Sequence, residues 1–235
     1  MSTEPQFENP HLLWTPQQLQ ARLGEENLVI LDLRDTYQVM AGIIPGAAHL
    51  DLWGLGTTHT QPAVLEEWVI LMRSKFGLCG VGQDSTVVVY EHDQTGMRAA
   101  RAFWYLEYIG HPQVHVLDGG YAAWQAAGLE TTREMVRPRP GRGLAIEARE
   151  DIYIGADELG SLLGEADLVL VDTRSSEEHT GQNKRGGPRG GTIPGAVHLE
   201  WTRLLDGRGC LKTAPELAAL FQQFGILKDK RIVPF

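Results

Sequence analysis

Short apolar runs recur along the chain, separated by stretches in which apolar residues return every three or four positions. Leu28–Leu31, Thr86–Tyr90, Val114–Asp118, Leu168–Val171 and Arg231–Phe235 are runs of the first kind. They are continuous rather than alternating, which is the pattern of parallel strands covered on both faces. The second kind predicts helices over Glu66–Phe76, Ala99–Gly110, Gly120–Gly128, Asp157–Gly164 and Pro215–Phe224. Two further signals mark helix starts. Thr15-Pro16-Gln17-Gln18 offers a capping Thr, a Pro at the first helical position and a Gln at the third, and Thr213 with Glu216 reads as a capping box. Strands alternating with helices predict an α/β fold, with parallel sheets flanked by helices on both faces.

The pattern occurs twice. "NLVILDLRDTY" (Asn27–Tyr37) matches "DLVLVDTRSSE" (Asp167–Glu177), so that Asp32 falls on Asp172 and Arg34 on Arg174. "GIIPGAAHLDLW" (Gly42–Trp53) then matches "GTIPGAVHLEW" (Gly191–Trp201), after an insertion "TGQNKRGGPRGG" in the second copy. "FGLCGVGQDSTVVVY" (Phe76–Tyr90) matches "FGILKDKRIVPF" (Phe224–Phe235). Three blocks in one order, at a period too long for a solenoid, predict a duplicated domain. The expected division is 1–136, a linker at 137–150, and 151–235. "RPRPGRG" (Arg137–Gly143) suits a linker draped over the surface. Only the first copy runs on past its third strand, into "EHDQTGMR" and two further helices. The second copy is therefore read as incomplete, stopping before the corresponding loop.

Charge and cysteine content narrow the function. A formal net charge of −9 argues against a general nucleic-acid binder. No apolar run approaches the roughly 20 residues that span a bilayer. "MSTEPQFENP" has neither the basic start nor the apolar core of a secretory signal, so a cytoplasmic setting is expected. Cys79 and Cys210 lack metal-ligand spacing and sit in turns, so neither is expected to be a nucleophile. The histidines are scattered and no phosphate-binding glycine fingerprint is present, so no metal, nucleotide or other cofactor is expected.

"GHPQVHVLDGGYAAW" (Gly110–Trp124), the two Asp-x-Arg strands with their "IPGA" turns, and "HLEWTRLLDGRGCLKTAPEL" (His198–Leu217) resemble the rhodanese family of sulfurtransferases in its tandem form. The resemblance runs from about Trp14 to Phe235. It implies two rhodanese-like domains, the first usually silent and the second carrying a Cys directly after its third strand. In the first copy the six-residue loop Asp93–Arg98 has the family's Cys-x4-Arg spacing, with Asp93 at the nucleophile position. A carboxylate cannot carry a transferable sulfur. In the second copy the nucleophile is expected immediately after Phe235, so the stretch up to Phe235 is expected to be inactive alone. The sequence also departs from the family, which usually has His before "IPGA". Ile43 and Thr192 stand there instead, so any role of that His in orienting the turn is expected to be missing from both copies.

The resemblance implies transfer of a sulfane sulfur, through a cysteine persulfide, from a small anionic donor to a thiol or cyanide acceptor. Thiosulfate and 3-mercaptopyruvate are the donor candidates. An acidic protein must hold such a donor with local arginines. Arg174, Arg185 and Arg189 are the candidates, with Lys184 beside them, and Asp51 is a candidate in the first copy's "HLDLWGLGTTH", as more weakly is His59. The bland readings are a strand-pinning salt bridge for Arg174, a solvated glycine-rich loop for Arg185 and Arg189, and local backbone capping for Asp51. Mercaptopyruvate-type members carry an Arg four residues after Asp-x-Arg. Glu178 stands there, which favours thiosulfate. Two rival readings remain at this point. One is a non-catalytic rhodanese-like binding or regulatory module; the other, a weaker one, is a dual-specificity-type phosphatase.

Overall fold

The computed structural model describes residues 7–57, 61–92, 96–141, 144 and 147–235. They form two compact units, one built from Asn9–Ile154 with Arg208–Cys210 and the other from Gly155–Gly207 with Leu211–Phe235.

The first unit is a parallel sheet of five strands, β1 (Leu13–Trp14), β2 (Leu28–Asp32), β3 (Ala47–His49), β4 (Thr86–Tyr90) and β5 (Val114–Leu117), in the order β1-β5-β4-β2-β3. Its helices are α1 (Pro16–Gln20), α2 (Thr36–Ala41), α3 (Pro62–Leu78), α4 (Met97–Tyr108) and α5 (Gly120–Ala126). Every residue of the central strand β4 is buried, as its unbroken apolar run requires. Each fully buried valine there contributes about 1.5–3 kcal/mol relative to exposure. One face of the sheet packs on α3 and α4 through Trp68, Met72, Phe76, Ala102 and Leu106. The other face packs on Leu19 of α1 and Trp124 of α5.

The capping box of α1 forms as expected, with Thr15 Oγ1 accepting from Gln18 N at 3.2 Å and Gln18 Oε1 accepting from Thr15 N at 2.8 Å. Helix α3 starts earlier than the apolar pattern indicates, because Pro62 takes a first-turn position whose N–H would have no partner.

The second unit contains α6 (Ala156–Leu162), β6 (Leu168–Asp172), α7 (Ser176–His179), β7 (Val197–His198), α8 (Ala214–Gln223) and β8 (Arg231–Pro234). Its parallel sheet has the order β7-β6-β8, which repeats β3-β2-β4. The register repeats as well. Leu28 pairs with Thr86 and Asp32 with Tyr90, while Leu168 pairs with Arg231 and Val171 with Pro234. Val171, Leu199 and Ile226 form the core, backed by Phe221 and Phe224.

The segment expected to drape over the surface is partly built in. Gly141 N donates to Gly77 O at 2.9 Å, and a Cβ at Gly141 would fall 2.1 Å from Val81 O. Leu144 is buried, and Arg149 N donates to Tyr108 O at 2.7 Å. Glycine at 141 lets the backbone lie against the α3–β4 turn, so this stretch belongs to the first compact unit. Among the described residues no helix is long and apolar enough to cross a membrane.

Candidate active site

Ligands of parallel α/β sheets bind at the carboxyl ends of the strands, and both Asp-x-Arg motifs end there. In the first unit Asp32 is completely buried. Its Oδ1 accepts from Arg34 N at 3.0 Å and Arg34 Nε at 2.9 Å, and its Oδ2 from Arg34 Nη2 at 2.6 Å. The Tyr90 hydroxyl supplies a further bond to Oδ2 at 2.6 Å. Arg34 Nη2 also donates to Gly42 O at 2.6 Å, and the guanidinium lies 3.7 Å from the Tyr121 ring centre. Burial first, and then the Asp32 charge, push the Tyr90 hydroxyl's pKa well above its ordinary value. The phenol therefore stays protonated and donates. His49 Nε2 reaches Arg34 O at 2.9 Å; a carbonyl only accepts, so that nitrogen carries the proton.

The second unit builds the same knot from different parts. Asp172 Oδ1 accepts from Arg174 N at 3.1 Å and Nε at 2.9 Å, and Oδ2 from Arg174 Nη2 at 2.7 Å. Arg174 Nη2 donates to Gly191 O at 2.9 Å, and His198 Nε2 to Arg174 O at 2.9 Å. Oδ2 takes two further donors, Thr192 Oγ1 at 2.7 Å and His179 Nδ1 at 3.0 Å. The His179 and His198 rings stack with centres 4.3 Å apart. Burial alone would raise the Asp172 pKa, but the bonds from Arg174, Thr192 and His179 outweigh it and hold the carboxyl well below the usual carboxylate range. The orienting role expected to be missing is thus filled in this copy by Thr192 and His179. In the first copy the backbone of Ile43 is fixed instead by paired bonds with Thr132, at 2.8 Å and 2.9 Å.

The register locates the next position along each third strand. Asp32 pairs with Tyr90, and Phe235 stands level with Asp172, since Val171 pairs with Pro234. Leu33 N donates to Tyr90 O at 3.0 Å, and Thr173 N to Phe235 O at 2.9 Å, with Thr173 Oγ1 adding a bond at 2.8 Å. The residue that follows Tyr90 is Glu91, so Glu91 rather than Asp93 matches the position after Phe235. Counting back from Arg98 pointed to Asp93 because loop spacing carries no register; Asp93 lies outside the described residues, as does His59.

Glu91 Oε2 accepts from Arg98 N at 2.6 Å and Ala99 N at 3.3 Å, in the first turn of α4. The start of α5 holds the base of the loop: Tyr121 N donates to Glu91 O at 2.8 Å and Ala122 N to His92 O at 3.0 Å. A Cβ at Gly120 would lie 2.6 Å from Glu91 O, so only glycine permits this approach. Arg34, Asp35, Tyr37, Gln38, Glu91 and Arg98 help line an open depression of about 260 Å³.

The remaining expected residues divide between the units. Asp51 Oδ1 accepts from Trp53 N at 2.8 Å, the local capping role. Arg174, Glu178 and Arg185 come together beyond the end of β6: Glu178 is buried and holds Arg185 by both oxygens, each at 3.1 Å. Arg189 is exposed on the same insertion.

The Rhodanese-like domain family model matches residues 15–127 and again residues 155–234. This chain belongs to the rhodanese family of sulfurtransferases. It is 34% identical to a thiosulfate sulfurtransferase of Azotobacter vinelandii over 227 residues, covering 97% of this chain and 83% of that protein. It is 32% identical to a thiosulfate sulfurtransferase of Pseudomonas aeruginosa, covering 97% and 83% of the two chains. The crystal structure of SseA from Escherichia coli, described as a 3-mercaptopyruvate sulfotransferase of rhodanese fold, superposes with a TM-score of 0.79 at 25% identity, covering 95% of this chain and 87% of that one.

Within this rhodanese pair, sequence reasoning found the Asp-x-Arg arginines and missed Tyr90, His49, His179 and His198. His49 and His198 carried a signal, since each stands at the same place after "IPGA" in its copy. Cys79 is half-buried with Sγ 3.9 Å from His49 O, and burial pushes its pKa up, which is the wrong direction for a nucleophile. Cys210 is also part-buried. Among the described residues no group of three or more His, Cys, Asp or Glu is arranged to hold a metal ion.

Proposed function

We propose that this rhodanese moves a sulfane sulfur from a small anionic donor to a thiol or cyanide acceptor through a cysteine persulfide, with the nucleophile at the position after Phe235. The observation that carries the reading is the repeated register. Supporting it, Phe235 closes the third strand level with Asp172 as Tyr90 does with Asp32, and Thr173 grips the Phe235 carbonyl from two donors. A thiolate there attacks the outer sulfur of thiosulfate. The new S–S bond forms as the old one breaks, and sulfite leaves with the electron pair. The acceptor then attacks the persulfide's outer sulfur and regenerates the thiolate.

Arg185 and Arg189 are the side chains proposed to draw in the donor's charge. Arg174 contributes mainly by fixing the strand end, since Asp172 and Gly191 O already occupy its Nε and Nη2. Glu178 beside Arg185 disfavours a donor that brings its own carboxylate, so thiosulfate is proposed ahead of 3-mercaptopyruvate. Asp51 has its local role and is given no other. The setting proposed is the cytoplasm, where such thiols stay reduced.

The test is to incubate the full-length gene product with thiosulfate and cyanide, follow thiocyanate, and weigh the intact protein after donor alone. The reading expects turnover and a gain of one sulfur atom on the residue after Phe235. No gain with either thiosulfate or 3-mercaptopyruvate overturns it.

A further inference from the structure

We propose that the outward face of α3 is a docking site for α3 of a second copy of this chain, the two helices packing antiparallel about a two-fold axis near Ile70 and Leu71. This face belongs to the first unit, and none of its residues takes part in the proposed sulfur transfer.

Helix α3 is apolar on two sides. Trp68, Val69, Met72 and Phe76 are buried in the core under the sheet. Ile70, Leu71 and Leu78 lie on the opposite side, 57%, 41% and 63% exposed. With 3.6 residues per turn, Ile70, Ser74, Leu78 and Leu71 fall within a sector of about 100°. Ser74 Oγ donates to Ile70 O at 2.9 Å, so the hydroxyl within that sector is already satisfied. A surface helix ordinarily turns charged and polar residues outward, and one that is apolar all round is covered on both sides.

Charge identifies the occupant. Glu66 and Glu67 lie toward the N-terminal half of α3, Arg73 and Lys75 toward the C-terminal half. Acid and base pair along one helix at three or four residues' spacing, but Ile70 and Leu71 stand four residues after the two glutamates. Glu67 and Lys75 are about 12 Å apart along the axis at 1.5 Å per residue, too far to meet. Among the described residues none of these four side chains forms an ion pair, and Arg73 Nε is buried without a hydrogen-bond partner. An antiparallel second copy supplies the missing charges. A two-fold axis through the middle of the stripe sets Glu66 toward the partner's Arg73 along one flank, and Glu67 toward the partner's Lys75 along the other. A parallel pairing would set glutamate against glutamate. The half-exposed pairs add little energy each; they fix direction and partner. The same two-fold brings Ala63 opposite the partner's Leu78, a small side chain against a large one. The contact is isologous, so association stops at two. Its apolar centre is well below the ~800 Å² per partner of a stable complex, so the dimer is weak and reversible.

The experiment is sedimentation of the full-length gene product at low salt, from about 10 μM to about 500 μM, the range in which so small an interface associates. The mean mass should rise toward that of a dimer. Glu67→Lys and Lys75→Glu, each alone, set like charges against each other twice per dimer and should each weaken association at least about fivefold. Mixed in equal amounts, the two variants should associate as well as the unsubstituted protein, because the mixed dimer restores opposite charges at both places. Both substitutions are at the helix surface, and thermal melting of each variant checks that it folds. A protein that stays monomeric over the whole range overturns the proposal. So does a dimer that neither charge reversal weakens, which would be held by another face, and so does a mixture no better associated than its two components.

Discussion

The Tyr90 hydroxyl lies 2.6 Å from Asp32 Oδ2, and the position matching Tyr90 in the second sheet holds Phe235, which has no hydroxyl to give. The two knots have therefore diverged in where Oδ2 finds its outside donor. The first takes it from the neighbouring strand; the second takes it from the "IPGA" turn and from α7, through Thr192 and His179. Each buried aspartate ends up with both oxygens hydrogen-bonded, and each arginine carbonyl is held by a histidine. The requirement conserved between the halves is a rigid strand end beside the third strand. The residues meeting it are interchangeable.

That divergence predicts unequal responses to removing a hydroxyl. Tyr90→Phe leaves a buried carboxylate one donor short and removes the acceptor of Ile44 N, which now bonds the phenol oxygen at 3.3 Å. The expected cost is about 1–3 kcal/mol, read as a lower urea midpoint. Thr192→Val should cost less, because His179 still reaches the same oxygen. Equal losses in the two variants would refute the division of labour.

Arg34 is the more demanding test of the same knot. Its side chain is 1% exposed beside a fully buried Asp32, so Arg34→Ala strands a carboxylate in the core. Loss of one partner of a buried pair costs about 3–5 kcal/mol, and chemical denaturation should show a loss of that order. Arg174→Ala should cost clearly less, since that side chain is 34% exposed and water can solvate what remains. A larger loss at 174 than at 34 would contradict this reading.

Much of this framework is visible in the sequence, because parallel strands buried on both faces read as unbroken apolar runs and the duplication reports each of them twice. What escaped is what only pairing decides. β1 is two residues long, too short for any periodicity, and exists because Leu13 and Trp14 pair with Val116 and Leu117. α2 was missed although Asp35 and Gln38 form its capping box; a helix of six residues adds little periodic signal beside an Asp-x-Arg turn. At the site, Asp32 and Arg34 are two residues apart and legible, whereas Tyr90 and Asp32 meet across a strand pair. The choice of Asp93 rather than Glu91 as the match to the position after Phe235 has the same origin: a loop counted along the chain lacks the register that the sheet imposes.

Two histidines set a pH dependence for the first unit. Burial, outweighing the bond to Gly82 O, lowers the pKa of His111. Burial, outweighing the bond to His11 O, lowers that of His115, with the His11 and Arg22 charges adding to it; its ring stacks on that of Trp14 with centres 4.4 Å apart. Above the unfolded value of about 6.5 both states are neutral, and stability does not change with pH on their account. As pH falls below it the unfolded chain binds protons that the folded chain refuses, so stability drops until the folded values are passed. Urea midpoints should therefore decrease from pH 7.5 to pH 5.5, and His111→Asn should flatten the slope. A flat midpoint over that range would show that the buried rings titrate normally.

Arg185 carries the last prediction, on donor choice. Its backbone is in the left-handed region with φ 48, its N–H is fixed by Asn183 Oδ1 at 2.9 Å, and its guanidinium is held by both oxygens of Glu178. The fork is thereby held against Glu178 with much of its charge balanced. Arg185→Ala in the full-length gene product should raise the KM for thiosulfate severalfold with little change in kcat, the signature of lost ground-state binding. Glu178→Gln uncovers the same charge, so activity with 3-mercaptopyruvate should rise relative to thiosulfate, because a donor bearing a carboxylate gains most from an unpaired guanidinium. If both donors respond equally to Glu178→Gln, the pair only ties down the loop and the donor preference has another cause.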